Sequence, residues 1–328
     1  MATKDQLKAL IKCHAEGDNE RFYAVAMQVA AQEARNGHGR FAQELRELID
    51  RAKDQSDTML PVAVGRPVPV VQPRGELAGL FGVAYPKTRL ADMVLDDPVR
   101  ARLDRVILEQ RQQARLAEHG FGPLRKLLLV GPPGTGKTMT AAALAGELGL
   151  ALFTIQLDAL ITKFMGETAA KLRLIFDAIG ETRAAYLFDE FDAFGGDRGS
   201  KNDVGEIRRV LNSFLQFLEQ DDSRSLIIAA TNHATLLDRA LFRRFDAVVD
   251  YSLPTPAVAQ AVIRARLGFL NADRVSWKVV SKAAVGLSHA ELVKACDQAA
   301  KNAILAETTT VETRSLVTAL TERHAAKT

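Results

Sequence analysis

Eight residues, GPPGTGKT at positions 131–138, combine glycines, a lysine and a hydroxyl at the G-x-x-x-x-G-K-[ST] spacing. Glycines let a backbone wrap around an anion with its N–H groups pointing inward. A helix opening at Lys137 adds the partial positive charge of its N-terminus. Such a loop is a seat for a polyphosphate. Lys137 is placed to reach the β- and γ-phosphates of a nucleotide, and Thr138 to offer its hydroxyl to Mg²⁺. Gly131, Pro132, Pro133, Gly134, Thr135, Gly136, Lys137, Thr138 and the following Met139 are the candidate nucleotide contacts.

A second set of residues supplies what is needed to cleave a phosphate bond. The apolar run AAYLF ends in Asp189-Glu190. Asp189 suits the metal, through its waters, and Glu190 is the candidate base for the attacking water. Another apolar run, SLIIAA, ends in Thr231-Asn232, whose amide either closes a turn or hydrogen-bonds the γ-phosphate or the lytic water. Farther on, LDRALFRRFD puts Arg243 beside Arg244. This is either a solvated pair or an arginine finger directed at a neighbouring subunit's phosphate, a job suited to a permanent charge on a planar fork.

These groups need rigid elements to hold them. KLLLVG, ALFTIQL, AAYLFDE and SLIIAATN are short apolar runs bounded by turn residues and separated by helical patterns. That alternation predicts a parallel sheet with helices on both faces, an α/β fold of the P-loop NTPase kind, over residues 89–253. After Pro254 the strands stop, and TPAVAQAVIRARLGFL, SHAELVKACDQAAKNAIL and ETRSLVTALTERH read as helices of a small all-helical domain, 254–328. Ser288 followed by Glu291 is a capping box that marks one helix start. Residues 1–54 carry helical faces at Leu7, Leu10, Ile11 and His14, at Phe22, Val25, Ala26, Val29 and Ala30, and at Phe41, Leu45, Leu48 and Ile49. They predict a small helical N-terminal domain that docks a partner or client. Residues 55–88, with Pro61, Pro67, Pro69 and Pro73, read as a semi-extended linker.

At 328 residues the chain is long enough for two or three domains, and its formal charge of +3 is too small to imply nucleic-acid binding by net electrostatics. Cys13 and Cys296 are the only cysteines, which excludes a disulfide framework and a Cys-rich metal site. No apolar run approaches membrane-spanning length and the first residues, MATKDQLKAL, lack a long apolar core, so a cytoplasmic protein with no membrane insertion is expected.

Taken in order, GPPGTGKT, YLFDE, AATN and ALFRRFD before a helical tail resemble an AAA+ ATPase, most closely the narrow AAA group that includes spastin and katanin. The resemblance covers residues 89–328. It implies ATP with Mg²⁺, Asn232 as sensor 1, Arg243 or Arg244 as the finger, residues 254–328 as a lid, and a homo-oligomeric ring, usually a hexamer, with ATP between subunits. AVGLSHAEL resembles the sensor 2 region, with Gly286, Ser288, Ala290 and Glu291 matching and His289 in place of a glycine. No sensor 2 arginine is present, as in the narrow group. His289 is either a first-turn helix residue or a nucleotide contact. LADMVL resembles the segment lining the adenine pocket, which makes Met93 and Val94 candidates beside Ala290. The family often separates its two arginines, R-x-G-R-F-D; here they touch, so which one acts stays open.

In AAA rings the loop before the next helix faces the central channel. KFMGE, 163–167, resembles the aromatic, apolar, Gly signature of that pore loop, with Phe164, Met165 and Gly166 as the grip. AFGGDRGSKNDVGE resembles a second channel-facing loop. The expected function is an ATP-driven ring that remodels, unfolds or threads a polypeptide substrate. The alternatives are a nucleic-acid-associated switch or loader, allowed by Arg100, Arg102, Arg105, Arg111 and Arg115, or an ATP-gated scaffold that does not thread. Nucleic acid is not favoured, because loops that track phosphates would carry Lys or Arg rather than Phe-Met. The chain holds no H-E-x-x-H, so the zinc site of membrane-bound AAA proteases is missing and any proteolysis needs a separate subunit.

Overall fold

The computed structural model describes Ala26, Met27, Gln43 and residues 79–160, 165–194, 201–233 and 239–326. The chain divides into two compact units, Met1–Val71 and Gln72–Thr328. In the first, Ala26, Met27 and Gln43 are helical and Ala26 is buried. The remainder of the helical reading of 1–54, and the Pro-rich run 59–75, lie outside the described residues.

The second unit begins with β1 (Phe81–Ala84), a 3-10 turn (Leu90–Asp92), α1 (Asp97–Arg111) and α2 (Gln113–Glu118). Then come β2 (Lys126–Val130), α3 (Lys137–Leu148), β3 (Leu152–Ile155), α4 (Leu157–Leu160) and α5 (Met165–Glu181). The sheet continues with β4 (Ala185–Phe188), a 3-10 turn (Phe191–Phe194), α6 (Lys201–Gln220), β5 (Leu226–Thr231), α7 (Arg239–Phe242) and β6 (Ala247–Asp250). A helical part, α8 (Pro256–Arg266), α9 (Trp277–Ala283), α10 (His289–Leu305) and α11 (Thr313–Ala325), ends the unit.

The strands form a six-stranded sheet in the order β1-β3-β4-β5-β2-β6. All pairs are parallel except β1 with β3, where Phe81 faces Ile155 and Ala84 faces Leu152. The four central strands read from the sequence are all present. Both edges differ from that reading. β1 lies inside the segment 55–88 taken as a linker, and β6 follows the arginine pair. Each is four residues long and only partly buried, so neither shows the continuous apolar run of the central strands, and nearby Pro86 masks β1 further. The C-terminal end of that linker is therefore corrected to part of the sheet.

Central burial explains the apolar runs. Every residue of β2, β4 and β5 is buried, and Leu127, Leu129, Leu144, Leu187 and Ile228 share one core with α1 and α3. On α5, Leu172, Ile175, Phe176 and Ile179 recur at helical spacing and are all buried. Phe176 and Phe214 of α6 meet Phe188 at the end of β4, the Phe188–Phe214 rings edge to face at 5.0 Å. This aromatic cluster fixes the strand end that carries Asp189. The helical part has a core of its own, including Ile263, Val280, Leu292, Cys296, Leu316 and Leu320. Its central helix starts as read: Ser288 Oγ accepts from Glu291 N at 3.4 Å, and Ser288 N donates to the Glu291 carboxylate at 2.7 Å. Burial pushes the Cys296 thiol up to about 12, which leaves it an unreactive apolar filler.

The segment before α1 is strapped across the end of α3. Arg89 Nη1 donates to Gly146 O at 2.6 Å, and Arg111 Nη2 to Glu147 Oε2 at 2.9 Å. A Cβ at Gly146 would collide with the Thr88 carbonyl oxygen. Helix propensity alone favours alanine there by about 1 kcal/mol, but the strap is backbone and cannot step aside. Gly146→Ala is therefore expected to lower stability by about 1–3 kcal/mol in denaturant unfolding; a more stable variant would show that the strap yields.

Candidate nucleotide-hydrolysis site

In an open parallel sheet, ligands sit at the carboxyl ends of the strands. Here β4, β5 and β2 are adjacent, and their carboxyl ends deliver Asp189-Glu190, Asn232 and the loop 131–136 side by side. Residues far apart in sequence become neighbours because of strand order alone.

The loop 131–136 is shaped by backbone conformations that suit glycine. Gly134 has φ 75°, and a Cβ on it would fall 2.7 Å from Ser288 Oγ and 3.1 Å from Ala290 Cβ. A Cβ on Gly131 would strike the Tyr251 carbonyl. Gly131 N donates to Thr231 O at 3.2 Å, Thr135 Oγ1 to Pro132 O at 2.8 Å, and Ala290 N to Gly134 O at 3.0 Å. The loop is thus tied to β5 and to the start of α10. Behind it, Thr140 of α3 and the Tyr251 hydroxyl hydrogen-bond at 2.6 Å. Burial pushes that phenol up to about 12, so it works as a neutral hydrogen-bonding group.

Lys137 is buried, and its Nζ donates to Gly131 O at 2.7 Å, Pro132 O at 2.8 Å and Asn232 Oδ1 at 2.8 Å. Burial lowers its pKa from the ordinary lysine value, while the Asp189 and Asp192 charges act the other way. Thr138 Oγ1 donates to Asp189 Oδ2 at 2.8 Å. A hydroxyl and a carboxylate side by side form an all-oxygen pair, which fits a hard cation that keeps most of its waters. Among the described residues there is no larger His, Cys, Asp or Glu cluster suited to a metal.

Glu190 is exposed and has φ 51°, the left-handed region that a side chain with a Cβ seldom enters, and its N–H donates to Asp189 Oδ1 at 2.9 Å. That conformation turns the chain directly after the strand. Strain of this kind concentrates at working sites.

One site residue escapes the sequence reading. Asp192 Oδ1 accepts from Asn232 N and from Thr231 Oγ1, each at 3.1 Å. It therefore holds the end of β5, and with it the amide that reaches Lys137. The acid three residues after Asp189 is visible in DEFD, but its partner lies forty positions downstream.

Other expected residues are placed less centrally. Met93 is buried with its Cε 3.4 Å from where a Cβ on Gly136 would be, and Val94 packs on the helical core. Met139 is exposed beside the loop, and so is Ala290. Arg243 is exposed in the turn after α7, whereas Arg244 is half-buried and ion-paired with Glu219 of α6. Neither makes a hydrogen bond or ion pair to the 131–138 loop among the described residues. Phe164 lies outside the described residues, as does 195–200 of the second loop. Met165 and Gly166 are the first residues of α5, so the helix begins inside the segment read as a loop.

Removing the Asp192 carboxylate leaves a hydroxyl and an amide N–H without their acceptor. Asp192→Ala is expected to cost about 1–3 kcal/mol of stability, while Asp192→Asn, which keeps an acceptor oxygen, costs less. Equal losses in chemical denaturation would refute that anchoring role.

Residues 127–253 match the family described as ATPase family associated with various cellular activities (AAA). An uncharacterized AAA family ATPase of Sinorhizobium fredii is 32% identical over 321 residues, 98% of this chain and 95% of its own length. The ATP-dependent zinc metalloprotease FtsH 3 of Sphaerobacter thermophilus is 34% identical over 233 residues, 69% of this chain and 48% of its own. A proteasome-activating nucleotidase of Methanoculleus marisnigri is 32% identical over 209 residues, 65% of this chain and 51% of its own. The chain spans about half the length of these last two relatives. A phosphate loop, an acid pair and a polar strand tip meeting at adjacent strand ends have the same meaning as these matches: the chain belongs to the AAA family and is an ATPase.

Proposed function

We propose that the chain is the motor of a homo-oligomeric ring, usually six copies, that uses ATP hydrolysis to remodel or thread a polypeptide. The observation that carries this reading is the sequence run Phe164-Met165-Gly166, whose last two residues open α5, where a basic run would be needed to track nucleic acid. The relatives support it: one is named a proteasome-activating nucleotidase and another an ATP-dependent metalloprotease, both names tied to the handling of proteins. The chain carries no H-E-x-x-H, so zinc proteolysis is not part of the proposal.

In this reading Gly131, Pro132, Pro133, Gly134, Thr135, Gly136 and Met139 surround the phosphates, and Met93, Val94 and Ala290 the base. Lys137 exchanges its backbone acceptors for the β- and γ-phosphates. Thr138 and Asp189 would hold Mg²⁺, which supplies charge neutralisation on the phosphates. Glu190 accepts the proton of the attacking water at its carboxylate, and Asn232 orients that water or the γ-phosphate. Arg243 is the better finger, because it is exposed and without an ion-pair partner among the described residues, whereas Arg244 is held by Glu219.

The domain reading follows: 1–54 docks a partner or client, 55–88 links it (up to the strand at Phe81), 89–253 hydrolyses ATP and 254–328 is the lid. Two thiols and no disulfide framework fit a cytoplasmic setting. Among the described residues no helix is long and apolar enough to cross a membrane. Likeness to the spastin and katanin group rests on the motif pattern, above all the missing sensor 2 arginine. Against the nucleic-acid alternative, Arg100, Arg105 and Arg111 of α1 are paired with Asp104, Glu109 and Glu147, and Arg102 donates to the Val248 carbonyl.

Glu190→Gln is expected to bind ATP and lower turnover by about 10²–10⁴-fold; normal turnover would remove Glu190 from the base role. Phe164→Ala should abolish remodelling of an unfolded protein substrate and spare most of the ATPase activity. Full remodelling by that variant would sink the threading model. Stimulation of the ATPase by DNA or RNA, and by no unfolded protein, would favour the nucleic-acid alternative.

A further inference from the structure

Tyr251, which follows β6, is in touch with the phosphate loop at both of its ends. Its backbone N–H donates to Val130 O at 2.6 Å and so continues the pairing of β6 with β2 up to the loop. From there its backbone lies against Gly131, where a Cβ would come within 2.7 Å of Tyr251 Cβ. The ring belongs to the core shared with α3, and its hydroxyl meets Thr140 Oγ1 at 2.6 Å. Thr140 is a costly residue at that place. It is fully buried beside Ala141, Ala143 and Leu144, and a β-branched hydroxyl residue inside a helix gives up both propensity and hydration. Alanine would avoid both costs.

What the hydroxyl does follows from counting protons. Thr140 Oγ1 donates to Gly136 O at 3.0 Å, and it has one hydrogen to give. A carbonyl can only accept, so Thr140 accepts from Tyr251. The reverse order would leave the Tyr251 proton with no other acceptor among the described residues. Burial keeps that phenol protonated. The bonds therefore run in one direction, from Tyr251 to Thr140 to Gly136. Gly136 O accepts from Thr140 N as well, at 2.8 Å, so two donors draw that carbonyl into α3. In a planar trans peptide the next N–H points the opposite way. Fixing Gly136 O thus aims the Lys137 N–H out of the helix N-terminus, the direction in which an anion is bound there.

We propose that Tyr251 is a positioning residue for phosphate binding, seating Gly131 with its backbone and orienting the Gly136–Lys137 peptide through Thr140, an inference that rests on the assignment of loop 131–138 to a nucleotide. Tyr251 touches no phosphate itself. It holds the first and last glycines of the loop in register, so that the N–H groups between them are set before an anion arrives. Preorganisation of this kind lowers the cost of binding.

Tyr251→Phe keeps the ring and the contact at Gly131 but withdraws the proton from Thr140. In the full chain it is expected to weaken inorganic pyrophosphate and ADP by the same factor, about 3- to 10-fold, in equilibrium binding. Thr140→Val should weaken both likewise. It also leaves the buried phenol proton without an acceptor, so its denaturant midpoint falls. Combining the two substitutions removes that orphaned group. The midpoint of the double variant should return toward that of the unmodified chain while pyrophosphate affinity stays low. Recovery of affinity together with the midpoint would make the pair a packing feature and overturn the proposal. Pyrophosphate affinity unchanged by Tyr251→Phe would do the same, and that variant decides alone if Thr140→Val does not fold. Failure of the unmodified chain to bind either pyrophosphate or ADP would overturn the loop assignment itself, and this inference with it.

Discussion

The loop 131–136 has neighbours so close on two sides that side chains are excluded. Tyr251, just beyond β6, presses on Gly131, and Ser288 with Ala290, at the start of α10, presses on Gly134. Only bare backbone fits between them, and that backbone is also what must offer its N–H groups to phosphate. The same approach joins the loop to β5 through Gly131 N and Thr231 O, and to the helical part through Ala290 N and Gly134 O. Any shift of the loop is felt by the end of β5 and by the first turn of α10.

The polar groups of the site are arranged around this loop as a connected set. Lys137 is desolvated, which is costly for an ammonium group, and three oxygen acceptors within 2.8 Å offset the cost. One of them, Asn232, is itself held by Asp192, and the opposite wall is closed by Thr138 on Asp189. The bonds of Lys137 and Asp192 are half-buried, so an unpartnered member costs more than a pair contributes, whereas the Thr138–Asp189 bond is exposed. The aromatic cluster of Phe176, Phe188 and Phe214 gives the acid-bearing strand end a rigid base. Apolar packing thus fixes where the charges sit, and the hydrogen bonds fix how they point.

Legibility followed sequence distance and burial. The loop GPPGTGKT was readable because its chemistry is local: glycines, lysine and threonine act within eight consecutive residues. The central strands were readable because they are buried on both faces and therefore uniformly apolar. β1 and β6 were not, since a half-exposed strand of four residues has no such signature. Asp192 was missed for another reason. An acid in a short turn resembles any solvated acid until the strand that it anchors is known.

The sequence by itself determined the class of chemistry, the direction of the sheet and the start of α10 at Ser288, because each depends on residue types within one turn of helix or one strand. Tertiary structure alone decided the rest. It set β4, β5 and β2 side by side, which brought Asp189, Asn232 and Lys137 together from positions up to 95 residues apart. It also tied Arg244 to Glu219 and left Arg243 exposed, and it closed both nitrogens of His289 away from water. None of this is encoded in local spacing, since strand order and burial are properties of the whole packed sheet.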